Sequence, residues 1–409
     1  MRIEHTVAFL TGLLILAIAI QPLARRLHIP FTAILVIAGF GISEVMVMAG
    51  LDTGIRAQNF HDLIFFVFLP ILIFESAYRI DTRLLLKNLA PILFLAIPLM
   101  LLSALITAAL VYAGIAHPAG FPWIAALLTG ALLSATDPVA VVALFREMGV
   151  SERLSLLVEG ESLFNDATAI VLFGVFLAIA TGSEGPMTWP AASLHFLKVF
   201  FGGILFGAVI GIIATAATRL LKDPIPGALA TVISAYLAFV LAETTLHVSG
   251  VMSVLATGLV LGKTTGQGEN QETDFGQKLW EFNAYVANAL VFLLMGVTIT
   301  LDMFTHRWLA MLIGIAGIIV ARAIGIFTFV PLLSRFTPIE AIPRPYQLVM
   351  FWGGLRGAVT LALALSLPTS LDYWWTIQSI AFGVVLFTLF VQATSIAPLL
   401  RRYNLNKKQ

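Results

Sequence analysis

Two carboxylates lie where an apolar helix would bury them: Asp137 in Ser134-Ala135-Thr136-Asp137-Pro138, and Asp166 in Glu161-Ser162-Leu163-Phe164-Asn165-Asp166. A charge at the centre of a bilayer costs roughly 2.5–3.5 kcal/mol on insertion scales, so intramembrane acids mark a route for an ion or a proton. At about 100° per helical residue, Ser162 and Asp166 stack one turn apart with Asn165 on the same side. One face thus offers a carboxylate, an amide and a hydroxyl, and hard alkali cations take oxygen ligands. Pro138 removes a backbone donor and opens the helix at Thr136-Asp137. Unwound carbonyls are good cation ligands, and Thr136 adds a hydroxyl. Glu161, five residues before Asp166, points about 140° away and suits pairing with a base better than holding the cation.

Two bases share the apolar segments, Arg322 in Val320-Ala321-Arg322-Ala323 and Arg356 in Gly353-Gly354-Leu355-Arg356-Gly357. Arginine keeps its charge at any relevant pH, so each needs a carboxylate or a set of carbonyls. Glu161 with Arg322 is the favoured pair, a buried ion pair that fixes helix register. Glu75, in Leu69-Pro70-Ile71-Leu72-Ile73-Phe74-Glu75, reads equally as a cation ligand or as an interfacial acid. Glu243 reads as structural. These five acids outnumber the two bases, which argues against an anion carrier.

The elements that must hold these groups follow from composition. Of 409 residues 59% are hydrophobic and only 11% are charged, with mean hydropathy +0.98. A soluble domain would carry about 25% charged residues. Stretches of about 20 apolar residues, the length that crosses a bilayer, predict thirteen helices over 6–24, 30–50, 62–78, 89–114, 121–145, 154–181, 192–220, 226–247, 249–263, 278–300, 307–335, 345–367 and 373–400. With the N-terminus outside, seventeen of the 23 Lys and Arg fall in cytoplasmic connections or the C-terminal tail and four on the opposite side, as the positive-inside rule requires. The other two are Arg322 and Arg356. The first apolar run lacks a basic start and a small-residue cleavage site, so it reads as a retained helix. The polar run from Lys263 to Lys278 reads as a flexible loop. With net charge +1 and no cysteine, nothing suggests nucleic acid, a disulfide or a thiolate metal site. The histidines at 5, 28, 61, 117, 195, 247 and 306 fall at the ends of apolar runs or in connections, so no haem or zinc site is expected. No glycine-rich lysine motif for nucleotide is present. No soluble regulatory domain, and no regulation through the nine-residue tail after Leu400, is expected.

Transporters built as inverted repeats place their sites at interrupted helices in corresponding positions. If spans 1–6 and 8–13 are the repeats and span 7 links them, the Asp137-Pro138 break and the glycine-weakened 353–357 segment are both in the fifth helix of their half. The fold expected is therefore an all-α integral membrane protein of about thirteen helices, two inverted six-helix repeats with helices 5 and 12 unwound.

These residues resemble the cation:proton antiporter-1 family, the sodium/proton exchangers. The resemblance rests on Thr-Asp-Pro in span 5, Glu-Ser-x-x-Asn-Asp in span 6, Leu-Pro-x-x-x-Phe-Glu in span 3, Gly-Gly-Leu-Arg-Gly-Ala in span 12 and the segment from Phe282-Asn283 to Gly296. It implies a homodimer in the lipid membrane. It also implies a scaffold (6–50 and 192–263) and a moving core (62–181 and 278–400), with helices 5 and 12 crossing where they unwind. It implies that Asp166 binds cation and proton in turn, with Asp137, Glu75, Ser162 and Thr136 at or beside the cation and Asn165 as polar neighbour. Glu161 would pair with Arg322, and Arg356 would support the crossing. The Asn-Asp pair is usual in electroneutral exchangers.

The activity expected is exchange of Na⁺ or Li⁺, with K⁺ open, for H⁺ by competition at Asp166 in an alternating-access cycle, with no cofactor and no nucleotide. Exchange should peak between a pH that protonates the site against the cation and one that leaves it no proton, a bell-shaped profile. The alternatives are a cation channel or a carrier of another small ion. An aspartyl protease built on Asp137 and Asp166 is disfavoured, because the Gly-x-Gly-Asp context is absent. A prokaryotic inner membrane, with the C-terminus cytoplasmic, is the expected location.

Overall fold

A chain in lipid must satisfy its backbone internally, and helices apolar all round do so. The computed structural model describes residues 3–27, 30–48, 63–115, 120–182, 189–221, 223–265, 271–332 and 341–405. The helices are α1 (Ile3–Leu27), α2 (Phe31–Met48), α3 (64–79), α4 (Leu89–Gly114), α5a (Trp123–Ser134), α5b (Val139–Met148), α6 (Glu152–Thr181) and α7 (Trp189–Leu221). They continue as α8 (Pro224–Leu246), α9 (Gly250–Thr265), α10 (Gln271–Thr298), α11 (Leu301–Leu332), α12a (Arg344–Trp352), α12b (Ala358–Leu365) and α13 (Trp374–Arg402). These overlie the predicted spans. Eight of the described helices are long and apolar enough to cross a membrane by length and composition. Arg2, Arg56, Lys222, Arg335, Lys407 and Lys408 of the charge count, and His28, His61 and His117, lie outside the described residues.

Local signals set the boundaries. The Ser151 hydroxyl accepts a hydrogen bond from the Leu154 N–H to start α6, a side-chain cap. Asp223 caps α8 ahead of Pro224, the position proline tolerates best. Glu243 accepts from the Gly250 N–H at 2.9 Å, so it ties the end of α8 to the start of α9, a structural task as expected. His247, with φ 50°, makes the turn between them.

The polar run 263–278 departs from expectation. Helix α9 reaches Thr265 and α10 begins at Gln271, while 266–270 lie outside the described residues. The anchor of this helical extension is Trp280, packed on Phe74 with ring centroids 4.2 Å apart and donating to the Thr231 hydroxyl at 2.8 Å. A helix once nucleated extends into polar sequence readily.

Helix α3 packs on α9 and α10, and α10 packs on α2 and α8. Gly39 and Gly296 let α2 and α10 touch: a Cβ at either would run into backbone of the other helix, the small-residue contact that brings membrane helices together. Helix α10 also meets α12b, and α3 meets α6. Helices α4, α5a, α6, α11 and α13 pack among themselves. Widened π-helical turns occur in α3, α4, α8, α11 and α13, the last at Thr388–Gln392.

Candidate cation site

The two breaks meet. Residues 135–138 between α5a and α5b, and 353–357 between α12a and α12b, are non-helical. The Asp137 N–H donates to the Leu355 carbonyl at 2.9 Å, and the Thr360 hydroxyl reaches the Ala135 carbonyl at 3.5 Å. Backbone groups freed by unwinding are thereby partly satisfied across the crossing, as burial demands.

Helix α6 holds the first break by one residue, Thr136. Its N–H donates to Asn165 Oδ1 at 3.2 Å and its hydroxyl accepts from Asn165 Nδ2 at 2.7 Å. Its carbonyl accepts from the Ser162 hydroxyl. Ser162 spends its one proton on Thr136 and keeps lone pairs for another partner. Asn165 is committed at both ends, so it shapes the site as a brace.

Asp137 faces two helix starts. Its Oδ1 accepts from the Val139 N–H at 3.0 Å and its Oδ2 from the Ala358 N–H at 3.4 Å, the first residues of α5b and α12b. A carboxylate at a helix N-terminus meets unpaired N–H groups and the positive end of the dipole. Gly357 makes this approach possible: a Cβ there would overlap the Asp137 carboxylate. Both oxygens being engaged, Asp137 is a cap for two half-helices as well as a wall of the site.

Asp166 is different. It is half-buried, and its Oδ1 is fully buried with no hydrogen-bond partner among the described residues. Buried polar oxygens are nearly always satisfied, and an exception calls for a reason. Asp166 lines a cavity together with Thr136, Asp137, Ser162, Glu75 and Asn288. Glu75 is reached by Arg79 Nη1 at 3.2 Å.

Behind this cavity lies the ion pair. Arg322 donates Nη1 to Glu161 Oε1 at 2.7 Å and Nη2 to Oε2 at 3.2 Å, a fork-to-fork pair. Its Nε and Nη2 also reach the Met350 carbonyl at 2.9 and 2.8 Å, so α11, α6 and the end of α12a are tied at one guanidinium. Arg356, 4% exposed, donates Nη1 to the Gly354 carbonyl at 2.7 Å. Its backbone N–H donates to the Thr388 hydroxyl at 3.1 Å, so the widened turn of α13 anchors the second break. Arg356 lines a smaller cavity with Glu161, Asn165 and Arg322.

Sequence reading missed Glu159 and Asn288, which line the main cavity. Glu159 lies three residues before Ser162 and seven before Asp166, the spacing of one helical face, and could have been found so. Asn288 lies in the apolar part of α10, five residues after Asn283 and seven after Glu281. Among the described residues no cluster of three His, Cys, Asp or Glu forms a metal centre.

The sodium/hydrogen exchanger transmembrane family model matches residues 12–402. The chain belongs to that family. The Na⁺/H⁺ antiporter ApNhaP of Aphanothece halophytica is 38% identical over 381 residues, which cover 92% of this chain and 70% of that protein. The Na⁺/H⁺ antiporter NhaH of Halobacillus aidingensis is 30% identical over 410 residues, 97% of this chain and 98% of that one. The solved structure of the sodium proton antiporter MjNhaP1 from Methanocaldococcus jannaschii superposes with a TM-score of 0.80 at 20% identity, covering 98% of this chain and 99% of that chain. That likeness shows the fold. This member of the exchanger family is a multi-pass integral membrane protein.

Proposed function

We propose that this chain exchanges Na⁺ or Li⁺ for protons, one for one, by letting cation and proton compete for Asp166. The observation that carries the reading is the buried, unpartnered Asp166 Oδ1 in a cavity walled by oxygen-bearing groups. A proton or a cation satisfies that oxygen, and each excludes the other because each favours a different charge state of the carboxylate. The Ser162 lone pairs and the second lone pair of the Thr136 carbonyl complete an oxygen shell suited to a hard cation. Asn165 and Asp137 keep the crossing open in the right shape.

Coupling follows from charge. Asp166 loaded with either ion is neutral, whereas the empty site carries a charge whose burial costs roughly 2.5–3.5 kcal/mol. The empty site therefore crosses about a hundredfold less often. Only loaded sites cross, and the exchange is electroneutral and bell-shaped in pH. We assign the moving unit to α4–α6 and α11–α13, which pack together, and the scaffold to α1–α3 and α8–α10. The connections carrying Arg79, Arg83, Lys87, Arg146, Arg153 and Arg344 face the cytoplasm. Support comes from the charge bias and from contacts joining them: Ser151 to Tyr346 at 2.6 Å and Arg153 to Asn88 at 3.4 Å. A homodimer in a prokaryotic plasma membrane rests on the family resemblance.

The test is proton flux in proteoliposomes with an interior pH dye, pulsed with NaCl, LiCl, KCl or choline chloride. Cation-dependent flux unchanged by a valinomycin clamp is expected. Cation-dependent proton flux that follows membrane potential would overturn the one-for-one stoichiometry, and conductance with no proton movement would replace exchange with a channel.

A further inference from the structure

Helix α3 ends at Arg79, one turn past Glu75. The Arg79 guanidinium spans two carboxylates, Glu75 Oε1 at 3.2 Å and Glu159 Oε1 at 3.1 Å. Both acids line the cavity that holds Ser162 and Asp166. Glu159, Ser162 and Asp166 share one face of α6, so Arg79 closes the rim between α3 and α6. Exposure separates the partners: the Arg79 side chain is 35% exposed, against 12% for Glu75 and 14% for Glu159. The acids face the cavity while the base lies toward solvent. The guanidinium can therefore swing out without a large desolvation cost, and the carboxylates it leaves remain turned inward.

We infer that Arg79 is a tethered competitor of the transported cation, setting the apparent affinity of the Asp166 site from this side. Its fixed charge sits between two carboxylates that would otherwise draw a monovalent cation to the mouth. Glu75 can turn to an arriving cation only as Arg79 lets it go. Glu159 is the second carboxylate that retains the guanidinium at that moment. The trio bears one net negative charge, so the mouth still attracts cations, but less than two free acids would. The inference rests on the exchange reading above, and Arg79 acts through Glu75 as a positioning residue.

The two ends of this competition predict opposite signs. Arg79→Gln frees both acids, so the KM for Na⁺ falls about three- to fivefold, the range open to an ion pair at this exposure, while the maximal rate does not rise. Glu159→Gln leaves Arg79 with Glu75 and, at longer range, Glu281, so the hold on Glu75 tightens and KM rises by about the same factor. Arg79→Lys, which keeps the charge, restores most of the wild-type KM. Both shifts shrink as choline chloride is added, because exposed charges are screened.

The measurement is Na⁺-dependent proton release from inside-out membrane vesicles, whose outer surface is the cytoplasmic face, over a range of NaCl. Opposite KM shifts in Arg79→Gln and Glu159→Gln support the inference. If the trio merely clamps α3 to α6, both variants lose maximal rate with KM moving the same way or not at all. That result, with wild type active, overturns the inference and leaves the exchange reading standing. Wild type that releases no protons on any cation overturns both. Should Arg79→Gln fail to reach the membrane, Glu159→Gln and Arg79→Lys decide: a KM for Glu159→Gln at or below wild type overturns the inference.

Discussion

Replacing Asp166 by Asn abolishes cation-dependent proton movement, lowering it by at least about a hundredfold, to the leak of empty liposomes. The amide is nearly the same shape, so the packing around α6 survives. It can neither take up a proton nor offer a negative charge to a cation. Two neighbouring acids are already engaged. Asp137 has both oxygens on the Val139 and Ala358 N–H groups, and Glu161 is held by Arg322. Folding of the variant is checked by its elution and melting in detergent, and flux by the pH dye. Sustained Na⁺-dependent flux in Asp166→Asn would remove Asp166 from the centre of the mechanism.

The second large effect is on stability. Arg322→Met leaves the Glu161 carboxylate, 3% exposed, as an unpaired buried charge, and such losses cost about 3–5 kcal/mol. The Met350 carbonyl also loses its donor, a further cost of about 1–3 kcal/mol if it stays buried. Melting in detergent therefore drops sharply. Removing both charges, in Glu161→Leu with Arg322→Met, recovers more than half of the loss, because neither member of the pair is left buried without the other. The two substitutions are thus strongly non-additive, as expected of residues in direct contact. A double variant whose destabilisation equals the sum of the singles would show that the pair is not the clamp described here.

What was legible in the sequence follows the range of the interaction involved. The breaks at Thr136-Asp137-Pro138 and at 353–357 announce themselves through proline and glycine, whose backbone effects are local. The shared face of Ser162, Asn165 and Asp166 is fixed by helical period alone. Long apolar runs mark the helices because lipid forces backbone pairing within each segment. What crosses the chain was hidden. That Asp137 caps α12b needs a contact with Ala358, 221 residues away, and no local pattern encodes it. The packing of α10 on α2 depends on close approach at Gly39 and Gly296, and that of α3 on α9 on Gly258 and Gly262, which read in sequence as more glycines in apolar helices. The polar start of α10 misled because composition outweighed the anchor at Trp280. Arg79 reads as one more cytoplasmic base until α6 brings Glu159 beside it.

The central claim is that one carboxylate holds either a proton or a cation. It is tested most directly by adding NaCl to the purified protein in lightly buffered detergent with a pH dye, choline chloride serving as control, while calorimetry counts bound Na⁺. The account predicts about one proton released for each Na⁺ bound, and none from Asp166→Asn. Na⁺ binding with no proton released, or undiminished release from Asp166→Asn, would contradict it.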